Sequence, residues 1–109
     1  MIDDLRLDGI YYYHDEDKAL YYCYKFREGG VLSFAIKQLN NDAIRQGMKF
    51  PARGAFTQQG KRRIRLGFSR DTKIYVTVKT DDTLDVVINS DYGDELAERR
   101  IYQFYALED

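Results

Sequence analysis

The chain has 109 residues, enough for one domain, and its 44% hydrophobic and 15% aromatic content is typical of a packed core rather than a disordered chain. No apolar run approaches the roughly 18 residues that a membrane-spanning helix needs, so no membrane span is expected. The net charge is −1, but ten Lys/Arg and one acid lie between Arg45 and Lys79, while both ends of the chain are acidic.

The N-terminal residues "MIDDLRLDG" are acidic and mixed, without the basic start and apolar stretch of a secretory signal. The single cysteine, Cys23, cannot form an internal disulfide, which fits a reducing compartment. A cytoplasmic location is therefore expected.

Apolar and polar residues alternate along most of the chain, which indicates strands with one buried and one wet face. A short helix is predicted at 41–47, with Asn41 or Asp42 as its N-cap and Gly47 at its end. The polar stretch "SDYGDELAE", from Ser90 to Glu98, is predicted to be a loop. The eight predicted strands are 8–14, 19–27, 31–38, 52–58, 62–69, 72–79, 83–90 and 99–107.

The turn "EGG" predicts a three-residue hairpin loop with Gly30 in the left-handed conformation and Arg27 paired with Val31. This register sets Tyr24 opposite Phe34, so that the large apolar side chains of both strands share one face.

Two further turns predict hairpins. "QQGK" around Gly60 sets Phe56 against Ile64, and "TDD" sets Val78 against Leu84. Consecutive hairpins predict an antiparallel meander.

Closing this meander into a barrel would remove both sheet edges, so the predicted fold is an all-β, eight-stranded antiparallel up-and-down barrel with one short helix. A barrel of this size is either filled by side chains or holds one small ligand. The side chains predicted to point inward are Tyr11, Tyr22, Tyr24, Phe26, Leu32, Phe34, Ile36, Phe56, Ile64, Leu66, Phe68, Ile74, Val76, Val78, Leu84, Val86, Ile88, Tyr102 and Phe104.

The order of short motifs resembles that of small bacterial lipocalin-like, or calycin-like, barrels. The motifs are "LDGIY" at 7–11, "YKFREGGVL" at 24–32, "RGAF" and "IRLGF" within 53–68, "VTVKTDDTLDVVI" at 76–88 and "YQF" at 102–104. Tyr11 lies where such proteins have the tryptophan of G-x-W, and they usually have a small residue near the position of Thr77. The resemblance implies one lipocalin-like domain over 1–109, with a cavity for one ligand open at one end.

Nothing in the spacing pairs the single histidine, His14, with Cys23 as a catalytic dyad. The acidic run "HDEDK" lacks the glycine that a calcium loop needs for its bend. We therefore expect no enzymatic activity, no metal and no cofactor.

Two functions are open at this point. Because the many inward rings favour a filled barrel with at most a small pocket, we rank the two functions nearly equally. One is a non-enzymatic barrel that binds a small apolar or amphipathic molecule in its interior. The other is a filled barrel that acts as a protein-interaction module, with another protein or as a homodimer. Ligand-lining residues would be Tyr22, Tyr24, Phe34, Phe56, Phe68 and Tyr102; partner-binding residues would be Tyr12, Tyr21 and Tyr105 on one outward face, or Arg63 and Arg65 on another.

The basic middle of the chain is either one half of complementary surface charge or a face for an anionic partner. Nucleic acid is not the expected partner, because Tyr75 is the only obvious stacking ring beside the basic strands and the sequence pI is about 5.8.

Overall fold

Eight strands and one helix follow one another along the chain in a computed structural model that describes residues 2, 4–70, 72–90 and 98–107. The predicted strands and helix are all present, with bounds that differ by at most two residues. The part of the predicted polar loop over 91–97 lies outside the described residues. The elements are β1 (Gly9–Asp15), β2 (Leu20–Arg27), β3 (Gly30–Ile36), α1 (Asn41–Gly47), β4 (Ala52–Gln58), β5 (Arg63–Gly67), β6 (Thr72–Thr80), β7 (Thr83–Ser90) and β8 (Glu98–Ala106).

The strands form a closed barrel in sequence order, and every neighbouring pair is antiparallel. β8 returns to β1, with Tyr11 opposite Phe104 and Gly9 opposite Ala106. Closure leaves no open sheet edge, which confirms the predicted up-and-down barrel.

The barrel interior is filled by side chains. Alternate residues of each strand point inward, and the rings of Tyr11, Tyr24, Phe26 and Tyr102 are all at most 5% exposed. Sixteen of the nineteen side chains predicted to face inward belong to this core or pack against it. The three exceptions all lie on β3: Leu32, Phe34 and Ile36.

The predicted β2–β3 register is wrong by one residue. Arg27 pairs with Gly30 rather than Val31, because the turn contains only Glu28 and Gly29, and Gly29 has the positive φ of 87°. A shift of one residue exchanges the two faces of a strand. Tyr24 therefore lies opposite Ser33, and Phe34 points out of the barrel.

The outward side of β3 is buried by α1. Phe34 and Ile36 pack with Cys23, Ile10 and the helix residue Ile44, which is fully buried. Because of this second core, large apolar side chains on the outside of the barrel are shielded from water.

The helix is capped one residue earlier than predicted. The Asn40 side-chain oxygen accepts a hydrogen bond from the Ala43 N–H at 2.8 Å, so neither Asn41 nor Asp42 is the N-cap. The helix nevertheless spans the predicted residues.

The remaining hairpins are partly as predicted. Phe56 lies opposite Leu66 rather than Ile64, a shift of two that leaves the inward face unchanged. Val78 lies opposite Leu84, as expected from "TDD". Within the described part of the chain, no helix is long and apolar enough to cross a membrane.

Candidate functional site

One end of the barrel is covered by the segment that precedes β1. The Tyr11 hydroxyl accepts a hydrogen bond from the Arg6 N–H at 3.0 Å, and the Arg6 side chain pairs with Asp8 and Asp82. Ile2 is 6% exposed and belongs to the barrel core. We call this the closed end.

An apolar groove of about 390 Å³ lies at the closed end. It is lined by Ile2, Leu5 and Leu7 of the segment before β1, by Phe56 of β4, and by Arg27 and the β2–β3 turn. Phe56 is the only predicted ligand-lining residue found here.

The opposite end, which we call the tyrosine end, contains an arginine that points into the barrel. Arg100 lies opposite Val86 in the β7–β8 register, and Val86 is a core residue. The Arg100 Cζ atom lies 4.7 Å from the Tyr22 ring centroid and 5.1 Å from that of Tyr13. Since the side chain is only 16% exposed, the aromatic faces replace part of its hydration.

The Arg100 guanidinium binds a carboxylate through a two-pronged contact. Its Nε and Nη2 atoms donate to the two carboxylate oxygens of Glu98 at 3.2 and 3.1 Å. The Glu98 side chain is 55% exposed, so the acid lies at the rim and the arginine lies inside. This geometry is the one in which arginine recognises carboxylates and phosphates.

Two stacked phenols lie beside Arg100. The rings of Tyr24 and Tyr102 are 4.8 Å apart, and Tyr24 also stacks on Phe68. Burial raises the pKa of both Tyr24 and Tyr102, so both are neutral phenols near pH 7. Burial disfavours the Arg100 charge, but hydrogen bonding to Tyr102 and the charge of Glu98 more than offset it, and the pKa of Arg100 lies above its ordinary value.

The structure brings four of the six predicted ligand-lining residues together at the tyrosine end: Tyr22, Tyr24, Phe68 and Tyr102. Phe56 lies toward the closed end, and Phe34 lies outside the barrel, so its predicted inward position is wrong. Sequence reasoning missed Tyr13 and Arg100. The signal was the alternation of β8, in which Arg100 shares a face with Tyr102 and Phe104.

The tyrosines predicted to bind a partner do point outward. Tyr12, Tyr21 and Tyr105 are half-buried because they pack around the second core beneath α1. Tyr12 meets Tyr21 edge to face at 5.9 Å. A role for them in a homodimer stays a prediction.

The predicted basic face also points outward. Arg63 and Arg65 are exposed on β5, and their neighbours Ile64 and Leu66 lie in the core. Arg65 lies opposite Tyr75 on β6, and Arg63 lies opposite Thr77.

His14 and Cys23 are engaged separately. His14 stacks on Tyr21 at 4.3 Å, whereas Cys23 is buried and its Sγ donates to the Tyr21 carbonyl oxygen at 3.7 Å. Burial raises the pKa of the Cys23 thiol to about 12, so it is a poor nucleophile near pH 7. Among the residues that the structure describes, no group of three or more His, Cys, Asp or Glu could hold a metal ion.

No known family model, curated protein or solved structure matches the chain.

Proposed function

We propose that the protein is a non-enzymatic, lipocalin-like barrel that binds a small amphipathic anion, of which a carboxylate is the simplest case, at the tyrosine end. The observation that carries this proposal is the inward guanidinium of Arg100, which already holds the carboxylate of Glu98 between two aromatic faces.

Glu98 marks the place of the ligand's charged group. A bidentate arginine–carboxylate contact is stronger than a neutral hydrogen bond and has a defined orientation. The Glu98 carboxylate is 55% exposed, so it can return to water when a ligand anion takes its place on Arg100.

The apolar part of the ligand would cover partly exposed rings. Tyr13, Tyr22 and Phe68 are half-buried, and Ile88 lies beside them with an intermediate exposure. Because the centre of the barrel is filled, we expect the ligand to lie against these side chains rather than deep in the barrel. Burial of their surface supplies the favourable free energy, and Arg100 supplies the selectivity for an anion.

Native mass spectrometry of the purified protein, compared with a denatured sample, would first show whether a small molecule copurifies. Two-dimensional ¹H–¹⁵N NMR spectra would then be recorded with increasing decanoate or decanol. We expect decanoate to shift the signals of Tyr13, Tyr22 and Arg100, and to bind more tightly than decanol, because a carboxylate can accept both donors of the guanidinium and a hydroxyl cannot.

Variants of neighbouring residues make the test specific. Arg100→Gln should weaken decanoate binding by at least about tenfold, and Glu98→Gln should strengthen it because the competing carboxylate is removed. Arg99→Gln is the matched control, because Arg99 is next in the chain but pairs with Asp85 outside the barrel. Equal binding of decanol, or shifts confined to the groove beside Leu5 and Leu7, would contradict the proposal.

A further inference from the structure

The arginines of this protein differ in whether they form ion pairs. Arg6, Arg62, Arg99 and Arg100 each form an ion pair with an acid. Within the described residues, five exposed arginines form none: Arg27, Arg53, Arg63, Arg65 and Arg70. Complementary surface charge therefore accounts for the paired arginines, whereas the others have no acidic partner among the described residues.

Three of the unpaired arginines, Arg53, Arg63 and Arg65, lie on one side of the barrel, on the neighbouring strands β4 and β5. Arg53 on β4 and the two arginines of β5 point outward, as does Lys73 on β6, because the residues between them point into the core. We call Arg53, Arg63, Arg65 and Lys73 the basic face. The sequences of β4, β5 and β6 contain no Asp or Glu, so their own side chains do not reduce the positive potential of this surface.

The basic face contains two depressions that side chains of a partner can enter. Ala55 and Gly67 lie opposite each other and leave a shallow depression of about 280 Å³ beside Arg65. A second depression, of about 340 Å³, lies between Arg63 and Tyr75. Arginine and tyrosine beside small concavities are the residues that dominate the energetics of protein interfaces.

An exposed apolar side chain lies close in sequence to Arg53 of the basic face. Phe50 is 94% exposed, the most exposed of the large hydrophobic residues in the described chain. It precedes Arg53 by three residues, so their Cα atoms are at most about 11 Å apart, because each step along the chain spans 3.8 Å. An exposed phenylalanine is unfavourable in water and gains free energy when a partner covers it.

We propose that the basic face and Phe50 bind an acidic, partly apolar segment of another protein. Carboxylates match the two-pronged donors of the arginines, and an apolar side chain of the same segment would cover Phe50. A single-stranded nucleic acid needs several stacking rings, whereas Tyr75 is the only ring among the outward residues of β4, β5 and β6. The basic face is outside the barrel, so this proposal does not depend on ligand binding at the tyrosine end.

The test uses the full chain and three fluorescent probes: a glutamate-rich peptide that contains one phenylalanine, the same peptide with glutamine for every glutamate, and an oligothymidylate. We expect the acidic peptide to bind in fluorescence anisotropy, more weakly as salt is raised, and at least about tenfold more tightly than the glutamine peptide.

Matched variants locate the binding surface. The double variant Arg63→Glu and Arg65→Glu should weaken binding of the acidic peptide by at least about tenfold, and Phe50→Ser by several fold. The control is Lys18→Glu with Lys37→Glu, which changes the net charge equally at two exposed positions off the basic face. If the double glutamate variant unfolds earlier in a thermal melt, Arg63→Gln with Arg65→Gln replaces it.

Three results would overturn the proposal. One is binding that the control weakens as much as the basic-face variants do. Another is a preference for the oligothymidylate, which would identify nucleic acid as the partner class. The third is equal affinity for the acidic and glutamine peptides, because the arginines would then contribute nothing.

Discussion

The Tyr11 hydroxyl donates a hydrogen bond to the Asp81 carbonyl oxygen at 2.8 Å, across seventy residues of sequence. The same hydroxyl accepts the Arg6 N–H at 3.0 Å, and the Tyr11 side chain has no exposed surface. One phenol therefore joins β1 to the β6–β7 turn and to the segment that covers the closed end.

Replacing Tyr11 with phenylalanine should lower the free energy of unfolding by about 1–3 kcal/mol, because two part-buried hydrogen bonds of about 0.5–1.5 kcal/mol each are lost while the ring is kept. Urea denaturation followed by circular dichroism measures this loss. Tyr12→Phe is the control, since the Tyr12 hydroxyl makes only a 3.4 Å contact with Gln103 in an exposed position. Equal effects of the two variants would contradict the bridging role of Tyr11.

Stability should fall in alkaline solution because of Tyr24 and Tyr102. Burial raises the pKa of both phenols above that of the unfolded chain, about 10. Their contribution is complete below about pH 10 and is lost as pH rises further, because the unfolded chain then loses protons that the folded chain keeps. The slope should reach at most about 1.4 kcal/mol per pH unit for each phenol.

Urea denaturation at several alkaline pH values measures this slope. A Cys23→Ala background removes the contribution of the thiol. Adding Tyr102→Phe should make the slope shallower, and an unchanged slope would show that these phenols are not the cause.

The Cys23 thiol should resist alkylation in the folded protein. With its pKa raised to about 12 by burial, its thiolate fraction is on the order of a thousandfold smaller than that of an exposed cysteine, whose pKa is about 8.5. Mass spectrometry after iodoacetamide treatment should show slow labelling without urea and rapid labelling in urea. Equal rates would mean that α1 does not shield Cys23.

Gly47→Ala should destabilise the protein even though alanine favours helices. A Cβ atom at Gly47 would lie 2.6 Å from Phe34 Cδ2 and 2.9 Å from Ile36 Cγ2. Overpacking of this kind costs about 1–3 kcal/mol, more than the roughly 1 kcal/mol gained in helix propensity. Thermal denaturation measures the difference.

Gly67→Ala is the matched control for Gly47→Ala, because the nearest atom to its added Cβ would be the Ala55 carbonyl oxygen at 3.9 Å. We expect its midpoint temperature to be unchanged or slightly raised, since alanine restricts the unfolded chain. A Gly47→Ala variant as stable as Gly67→Ala would contradict the close packing of α1 on β3.

The barrel could be predicted from sequence because alternation is a local property. In β6, Ile74, Val76 and Val78 lie two residues apart, and this spacing places them on one face of an extended chain whatever else it contacts. The same argument applies to the other strands. Eight strands that pair in sequence order form a meander with two open edges, and closure into a barrel removes both edges.

The β2–β3 turn shows where local reasoning failed. Alternation indicates that Phe34 and Ser33 lie on opposite faces of β3, but it does not indicate which face is inside. That choice depended on whether the turn contained two residues or three, and both Gly29 and Gly30 suit a turn. Large residues were expected inside, but α1 buries Phe34 on the outside instead.

The candidate site was predicted in part. Tyr22, Tyr24, Phe68 and Tyr102 were expected to meet because all were expected to face inward, and they do lie together. Arg100 was not expected there, since a charged side chain is rarely buried without partners. Its partners, Tyr13, Tyr22 and Glu98, come from three strands, so no stretch of sequence contains the site.

The sequence by itself determined the eight strands, the helix at 41–47 and the two faces of each strand, because these follow from spacing along the chain. Only the tertiary structure decided which face of β3 is inside, that Arg100 points inward and that Arg53, Arg63 and Arg65 remain unpaired within the described residues. These features depend on distances between residues far apart in sequence. The physical reason is that burial and charge pairing are properties of neighbours in space, and those neighbours exist only once the barrel has closed.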